Sequence, residues 1–318
     1  MRRFILKLSL FVLPVALAII IMANGKVIPF SSSISLDSKI YELKLRNFDR
    51  LETIAVGSSM TLNNLNSEVW VKETGDSSFY NISSWGQSIT DDSQLIRVLV
   101  PIYHPSRVVI FAHCSDFYNS GIENISLIGA YLRHKLQFSN VHFKVLSIYS
   151  DTEQLYSDAK KDTLEYTNLN YDAFGGVALN VYGSHIEDDR WNKTTNFVFS
   201  PDNGYYSELS DLCSYLKEQD ITLIMVNTPS RFHYCSDRID DVYKHIHHCD
   251  SILTSHGQIF INEMDFQAYP DTLFADCSHL NRHGASILTK NVCARLDEID
   301  HRTTMTATDA GTGVELYP

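Results

Sequence analysis

Five short apolar runs, each leading into a stretch of helical periodicity, limit most strongly how this chain can fold. They lie at 53–57 (TIAVG), 79–83 (FYNIS), 107–113 (RVVIFAH), 221–227 (ITLIMVN) and 258–264 (QIFINEM). Val and Ile crowd into most of them without regular polar alternates, which marks strands covered on both faces. Helical patterns fall between them at about 92–99, 122–136, 207–219, 237–254 and 283–296. Strands that alternate with helices build a parallel sheet through right-handed crossovers. The expected architecture is α/β, a three-layer α/β/α domain over residues 51–300 with a central, mostly parallel sheet. One interval breaks the rhythm. Residues 138–201 are rich in Tyr, Asn, Asp and Gly, and about 60 residues without a period are too many for an ordinary loop. They read as an inserted cap or flap beside a site at the strand C-termini. Residues 301–318 read as a disordered tail.

Arg2 and Arg3 precede an apolar run from Leu8 to Ala23. Extended back to Phe4, it reaches about 20 residues, enough to cross a bilayer core. The expectation is a single-pass membrane anchor over residues 1–25, with a cytoplasmic N-terminus and the main domain outside, in the periplasm or at the cell surface. A cleavable signal peptide, which would secrete the domain, is the competing reading. The Ser-rich stretch VIPFSSSISLDS, within residues 26–50, reads as a linker leading into the domain. The formal charge of −12 argues against a nucleic-acid footprint. Six cysteines in an exported chain permit disulfides, while mostly buried free thiols fit equally well; no CxxC pair suggests a structural zinc site.

The first apolar run climbs into Gly57-Ser58-Ser59, and the chain later reads Asp276-Cys277-Ser278-His279 just before a helical segment. A serine hydroxyl is a poor nucleophile until a base stands within hydrogen-bond reach. An imidazole is that base, and a carboxylate fixes its tautomer. Ser59, His279 and Asp276 are therefore candidates for one catalytic group; the competing readings are a turn serine, a helix-approach histidine and a helix cap. Arg231 and His233 follow the fourth run, where ligands meet such sheets, and are candidates for substrate contact, with packing as the alternative. The cluster KHIHHC at 244–249 reads as an exposed helix face, and metal binding there or at His279 and His283 is the weaker reading.

Gly57-Ser58-Ser59-Met60 after a strand, Gly86 in NISSWGQSI after the second strand, and Asp276-x-x-His279 before the last helix together resemble the SGNH/GDSL hydrolase family, over roughly residues 53–296. The resemblance is closer to its membrane-anchored, cell-envelope members, which include surface-polysaccharide O-acyltransferases and teichoic acid D-alanylation proteins. It implies a flavodoxin-like SGNH fold, Ser59 as nucleophile, His279 and Asp276 as its partners, and an oxyanion hole of Ser59 and Gly86. Two positions depart from the family pattern. Ser58 replaces its usual Asp, and Ser115 stands where an oxyanion-binding Asn belongs, with Ser115 or Asn119 as possible substitutes. The implied activity is an exported serine esterase or O-acyltransferase on acyl esters of surface polysaccharide, assisted by envelope acylation partners and needing no metal or organic cofactor. The alternative is a catalytically inactive glycan-binding or scaffold protein of an envelope assembly complex.

Overall fold

The five apolar runs become five strands: β1 (Thr53–Ala55), β2 (Phe79–Asn81), β3 (Arg107–Ala112), β4 (Thr222–Asn227) and β5 (Ile259–Asn262). All pair in parallel, in the order β2-β1-β3-β4-β5. The computed structural model describes residues 2–24, 31–118, 121–133, 169–183 and 188–311. Among them the helices are α1 (Arg2–Asn24), α2 (Ile34–Arg46), α3 (Ser59–Asn64), α4 (Ser67–Thr74), α5 (Ile89–Tyr103) and α6 (Ile128–Arg133), followed by α7 (Asp188–Trp191), α8 (Gly204–Glu218), α9 (Phe232–Cys235), α10 (Ile239–Ser255) and α11 (Arg282–Gly311).

The two-residue period of a strand sorts its side chains into two layers. Ile54, Val56, Val108, Ile110, Leu223 and Met225 pack with α2, α5, α8 and α10 on one face. Ala55, Val109, Phe111, Ile224, Val226 and Ile261 pack with α4 and α11 on the other. This is the expected three-layer α/β/α arrangement with a parallel sheet. Successive connections leave β1 toward β2 and then return past it to β3, so a crevice opens where the β1 and β3 ends diverge, the place where such sheets hold ligands.

Several expectations need correction. The supposed linker at 26–50 contains α2, which begins at a Ser33 cap accepting the Leu36 N–H at 3.3 Å. Leu36, Ile40 and Leu43 on α2 are fully buried; a helical stripe hidden in a Ser-rich stretch carries them into the core. The tail expected to be disordered from 301 continues as α11 to Gly311, and residues 312–318 lie outside the described residues. The KHIHHC cluster is not wholly an exposed face. His245 and Cys249 share the inward stripe of α10 with Val242, Ile246 and Leu253, and His245 Nδ1 lies 2.8 Å from the Tyr206 hydroxyl. All six cysteines are buried free thiols.

Of the proposed insertion at 138–201, residues 138–168 and 184–187 lie outside the described residues, as does Asn119. Residues 169–182 form no helix or strand, and Val177 and Leu179 among them are buried against Leu62 and Ala275. A helix forms at the N-terminus, and its Leu10, Phe11 and Leu13 stand exposed. Among the described residues, however, no helix is long and apolar enough to cross a membrane.

Candidate active site

The turn from β1 into α3 makes the first half of the site. Gly57 has φ of +155°, and a Cβ built on it would lie 2.0 Å from Thr61 Oγ1. That hydroxyl cannot retreat, because it donates to the Phe111 carbonyl and accepts the Phe111 N–H, each at 2.9 Å. The glycine thus lets the chain turn sharply while α3 stays locked to β3. Gly57→Ala is expected to cost about 3 kcal/mol through this overpacking, read as a lowered urea midpoint with an unchanged denaturant slope. Ser58 is the cap of α3, its Oγ accepting the Met60 N–H at 3.1 Å. Ser59 is thereby left half-buried at the first helical position, where an amide has no partner carbonyl within its own helix.

The second half comes from the loop before α11. Asp276 accepts the backbone N–H groups of Ser278 at 2.8 Å and His279 at 2.7 Å, curling the loop around its carboxylate. His279 Nδ1 lies 2.9 Å from Asp276 Oδ2, and Nε2 lies 2.8 Å from Ser59 Oγ. Burial alone would raise the Asp276 carboxyl, but the His279 ring beside it and the two amides hold it well below the usual carboxylate range. The two halves are stitched together, with Leu280 N–H donating to Asn64 Oδ1 at 2.8 Å and Asn66 N–H donating to Thr289 Oγ1 at 2.9 Å. A continuous line therefore runs from carboxylate through imidazole to hydroxyl. Such a line can draw the proton from Ser59 Oγ as that oxygen attacks a carbonyl carbon.

Around this line lies a cleft of about 380 Å³ lined by residues from five segments, among them Ser59, Ser115, Asp116, Tyr118, Arg190, Lys193, Tyr234 and His279. Ser115 and Asp116 follow β3 in a short 3-10 turn at Cys114–Phe117. Asp116 is 2% exposed, and its Oδ2 accepts the His113 N–H at 2.9 Å. Burial pushes its carboxyl up to about 7, against the hydrogen bonds from the His113 amide and the Ser58 hydroxyl that pull it down. A raised carboxyl contributes stability that is fully present below the ordinary carboxylate pKa and is lost as pH climbs through about 7. The difference is on the order of 4 kcal/mol. Asp116→Asn keeps an acceptor for the His113 amide and removes the titration. Urea melts at pH 5 and pH 8 should differ less for this variant than for the native chain; equal differences would refute the assignment.

Not every expected residue reaches the cleft. Ser59, His279, Asp276 and Ser115 line it, whereas Gly86, Arg231 and His233 do not. Gly86 is an exposed turn residue with φ of +70°. Arg231 is buried, donating to the Trp191 carbonyl and pairing with Asp271 at 2.7 Å, and His233 Nε2 lies 3.1 Å from the Asn192 carbonyl. Both side chains fasten the segment around α7 rather than meet a ligand. That segment supplies Arg190 and Lys193, two cleft-lining residues that the sequence reading missed, as it missed Tyr118 and Tyr234. Arg190 and Lys193 sit in D-D-R-W-N-K, inside the interval without a period, and an aromatic flanked by bases was the signal that could have exposed them.

No protein-family model matches the chain, and no curated protein does either. Among solved structures, the chain is similar to one described as an acylhydrolase from Bacteroides fragilis, with 11% identity, a TM-score of 0.41, and coverage of 81% of this chain and 95% of that one. A protein described as lipolytic and of the G-D-S-L family, from Desulfitobacterium hafniense, matches at 10% identity and a TM-score of 0.41, over 76% and 97%. A GDSL-like lipase from Bacteroides thetaiotaomicron matches at 12% identity and a TM-score of 0.40, over 83% and 99%. Likeness this distant decides nothing about chemistry, which has to come from the site itself.

Proposed function

We propose that the protein is a serine esterase or O-acyltransferase of the SGNH/GDSL type. The observation that carries this reading is the unbroken contact of Asp276, His279 and Ser59, with the serine oxygen open to the cleft. Ser59 Oγ attacks an ester carbonyl while His279 Nε2 takes its proton. The Asp276 carboxylate holds Nδ1–H and stabilises the imidazolium. Ser59 and Ser115 both line the cleft, and the Ser59 amide and Ser115 serve in this reading as the oxyanion donors. His279 then returns the proton to the departing alkoxide, leaving an acyl group on Ser59. Water resolves that acyl-enzyme in an esterase, and a sugar hydroxyl resolves it in a transferase.

The reading includes acyl esters of cell-surface polysaccharide as substrate, envelope acylation partners, and export with attachment to a membrane through α1. Support for that setting is Arg2 and Arg3 in the first turn of α1 and the exposed Leu10, Phe11 and Leu13 along it. One observation favours a second reading, an inactive glycan-binding scaffold: Gly86 does not line the cleft, which leaves fewer oxyanion donors. Labelling with a fluorophosphonate serine probe decides between them. The native chain should label at a single residue and Ser59→Ala should not; absent labelling, or labelling that survives the substitution, would sink the nucleophile assignment.

A further inference from the structure

The turn after β3 brings a hydroxyl, a carboxyl and an imidazole together at the wall of the cleft. Ser115 is half-buried and lines the cleft with Asp116. Its N–H donates to His113 Nδ1 at 3.4 Å, and its Oγ lies 3.4 Å from the same nitrogen. The Ser115 side chain is also hydrogen-bonded to the Asp116 carboxyl, and so is that of Ser58 from the turn after β1. Asp116 thus links the residue before the nucleophile to a second serine of the cleft wall.

A hydroxyl carries one proton. Ser115 can offer that proton to an oxyanion only if no stronger acceptor beside it claims it first. A carboxylate at Asp116 would claim it, because charge-assisted hydrogen bonds are the stronger kind. A carboxylic acid does the reverse: its O–H donates to Ser115 Oγ and releases the serine proton toward the cleft. The other contacts of Asp116 leave room for this direction. Its Oδ2 accepts the His113 N–H at 2.9 Å. Ser58 Oγ already accepts the Met60 N–H at 3.1 Å, so it has its own proton to give to the carboxyl, and Ser115 Oγ is left to receive the proton of the acid. His113 competes poorly for the Ser115 hydroxyl. Burial first, and the nearby His279 ring second, hold its imidazole down at about 4, and its neutral Nδ1 already meets the Ser115 amide at a long 3.4 Å.

The surroundings of Asp116 favour the acid. From α5 come Asp91 and Asp92. Asp91 is spent on its helix cap and on the Ile122 N–H, each at 2.8 Å. Asp92 is buried, feels the Asp116 charge, and its Oδ1 has no hydrogen-bond partner among the described residues. From the turn itself comes the Cys114 thiol, pushed well up by burial and so uncharged. His279 gains a charge only when it takes a proton. Arg190 and Lys193 line the cleft too, but among the described residues no ion pair joins a cation to Asp116. A buried carboxyl beside other carboxyls, without an ion-pair partner, holds its proton, and a neutral acid can then serve as a donor. We infer that Asp116 is a positioning residue that works as a carboxylic acid, its O–H turning the Ser115 proton into the cleft to meet the oxyanion. This rests on the esterase or acyltransferase reading and completes its oxyanion hole. Asp116 and Ser115 keep their protons throughout; the proton taken from Ser59 stays on His279 until the alkoxide leaves.

The test is a pH profile of the full chain on 4-nitrophenyl acetate, with the rate of fluorophosphonate labelling at Ser59 as a second readout. Asp116 ionises as pH climbs through about 7, so both rates should fall about tenfold or more between pH 6.5 and pH 8.5. Circular dichroism at each pH shows that the chain is folded. Asp116→Asn keeps an acceptor for the His113 amide and gives Ser115 Oγ an N–H donor that does not titrate. It should abolish the fall and outpace the native chain at pH 8.5. Ser115→Ala removes the donor through which Asp116 acts; it should be about a hundredfold or more slower at pH 6.5 and show no fall of its own. A native profile without the fall, or a fall that persists in either variant, would overturn the inference, and Ser59 labelling that stays intact would leave the esterase reading standing. No labelling of Ser59 in the native chain at any pH would remove both.

Discussion

Ser59→Ala, His279→Ala and the variant carrying both are each expected to turn over an activated acetyl ester about a million-fold more slowly than the native chain, with the double variant no worse than either single. The reason is that the two side chains act as one unit. His279 Nε2 stands 2.8 Å from Ser59 Oγ, so losing the imidazole leaves a protonated hydroxyl, and losing the hydroxyl leaves a base with nothing to activate. Initial rates across a substrate series, with urea melts to show that each variant is folded, test the claim. Losses that multiply in the double variant would mean the two residues work separately.

Asp276→Asn should lower kcat about ten-thousand-fold, equivalent to about 5.5 kcal/mol of barrier. The amide oxygen can still accept the Ser278 and His279 backbone N–H groups, which preserves the loop. Its NH₂ would meet His279 Nδ1 as a donor and drive the imidazole proton to Nε2, the atom that must accept from Ser59. The same substitution alters acid stability in a definite direction. A carboxyl held below its usual range in the folded chain contributes stability that is present above that range and is lost as pH falls through it. The native chain should therefore lose stability more steeply than Asp276→Asn in urea melts taken from pH 6 down to pH 3. A variant that keeps most of its turnover would show that the carboxylate neither orients nor stabilises the imidazole.

The sheet was legible because its strands are buried on both faces, and continuous Val and Ile in 107–113 and 221–227 leave few other structures open. The pairing of Ser59 with Asp276 and His279 could be read from residue chemistry and order, since a serine after a strand and a D-x-x-H before a helix need each other. What escaped was set by tertiary contact. Ser33 looks like linker until Leu36, Ile40 and Leu43 are seen to share a buried stripe. Arg231 resembles a ligand-binding cation, but its guanidinium is spent on Trp191 and Asp271. His245 sits among charged and histidine neighbours, and only the helical phase of α10 shows that it faces inward. Asp116 carries no local mark of its environment at all, because its burial is set by the tertiary packing of the turn after β3.

The hydrogen bond between His279 and Ser59 joins residues 220 positions apart, with the whole sheet laid down between them. Under the proposed triad, reactivity at Ser59 cannot exist in any fragment of the chain that stops short of α11, however well its first strands have formed. The same proposal expects the serine to stay inert during synthesis until nearly the last of the domain has emerged. In the laboratory the same wiring makes covalent capture of Ser59 a gauge of native completeness, falling in step with global unfolding rather than with the loosening of any single helix.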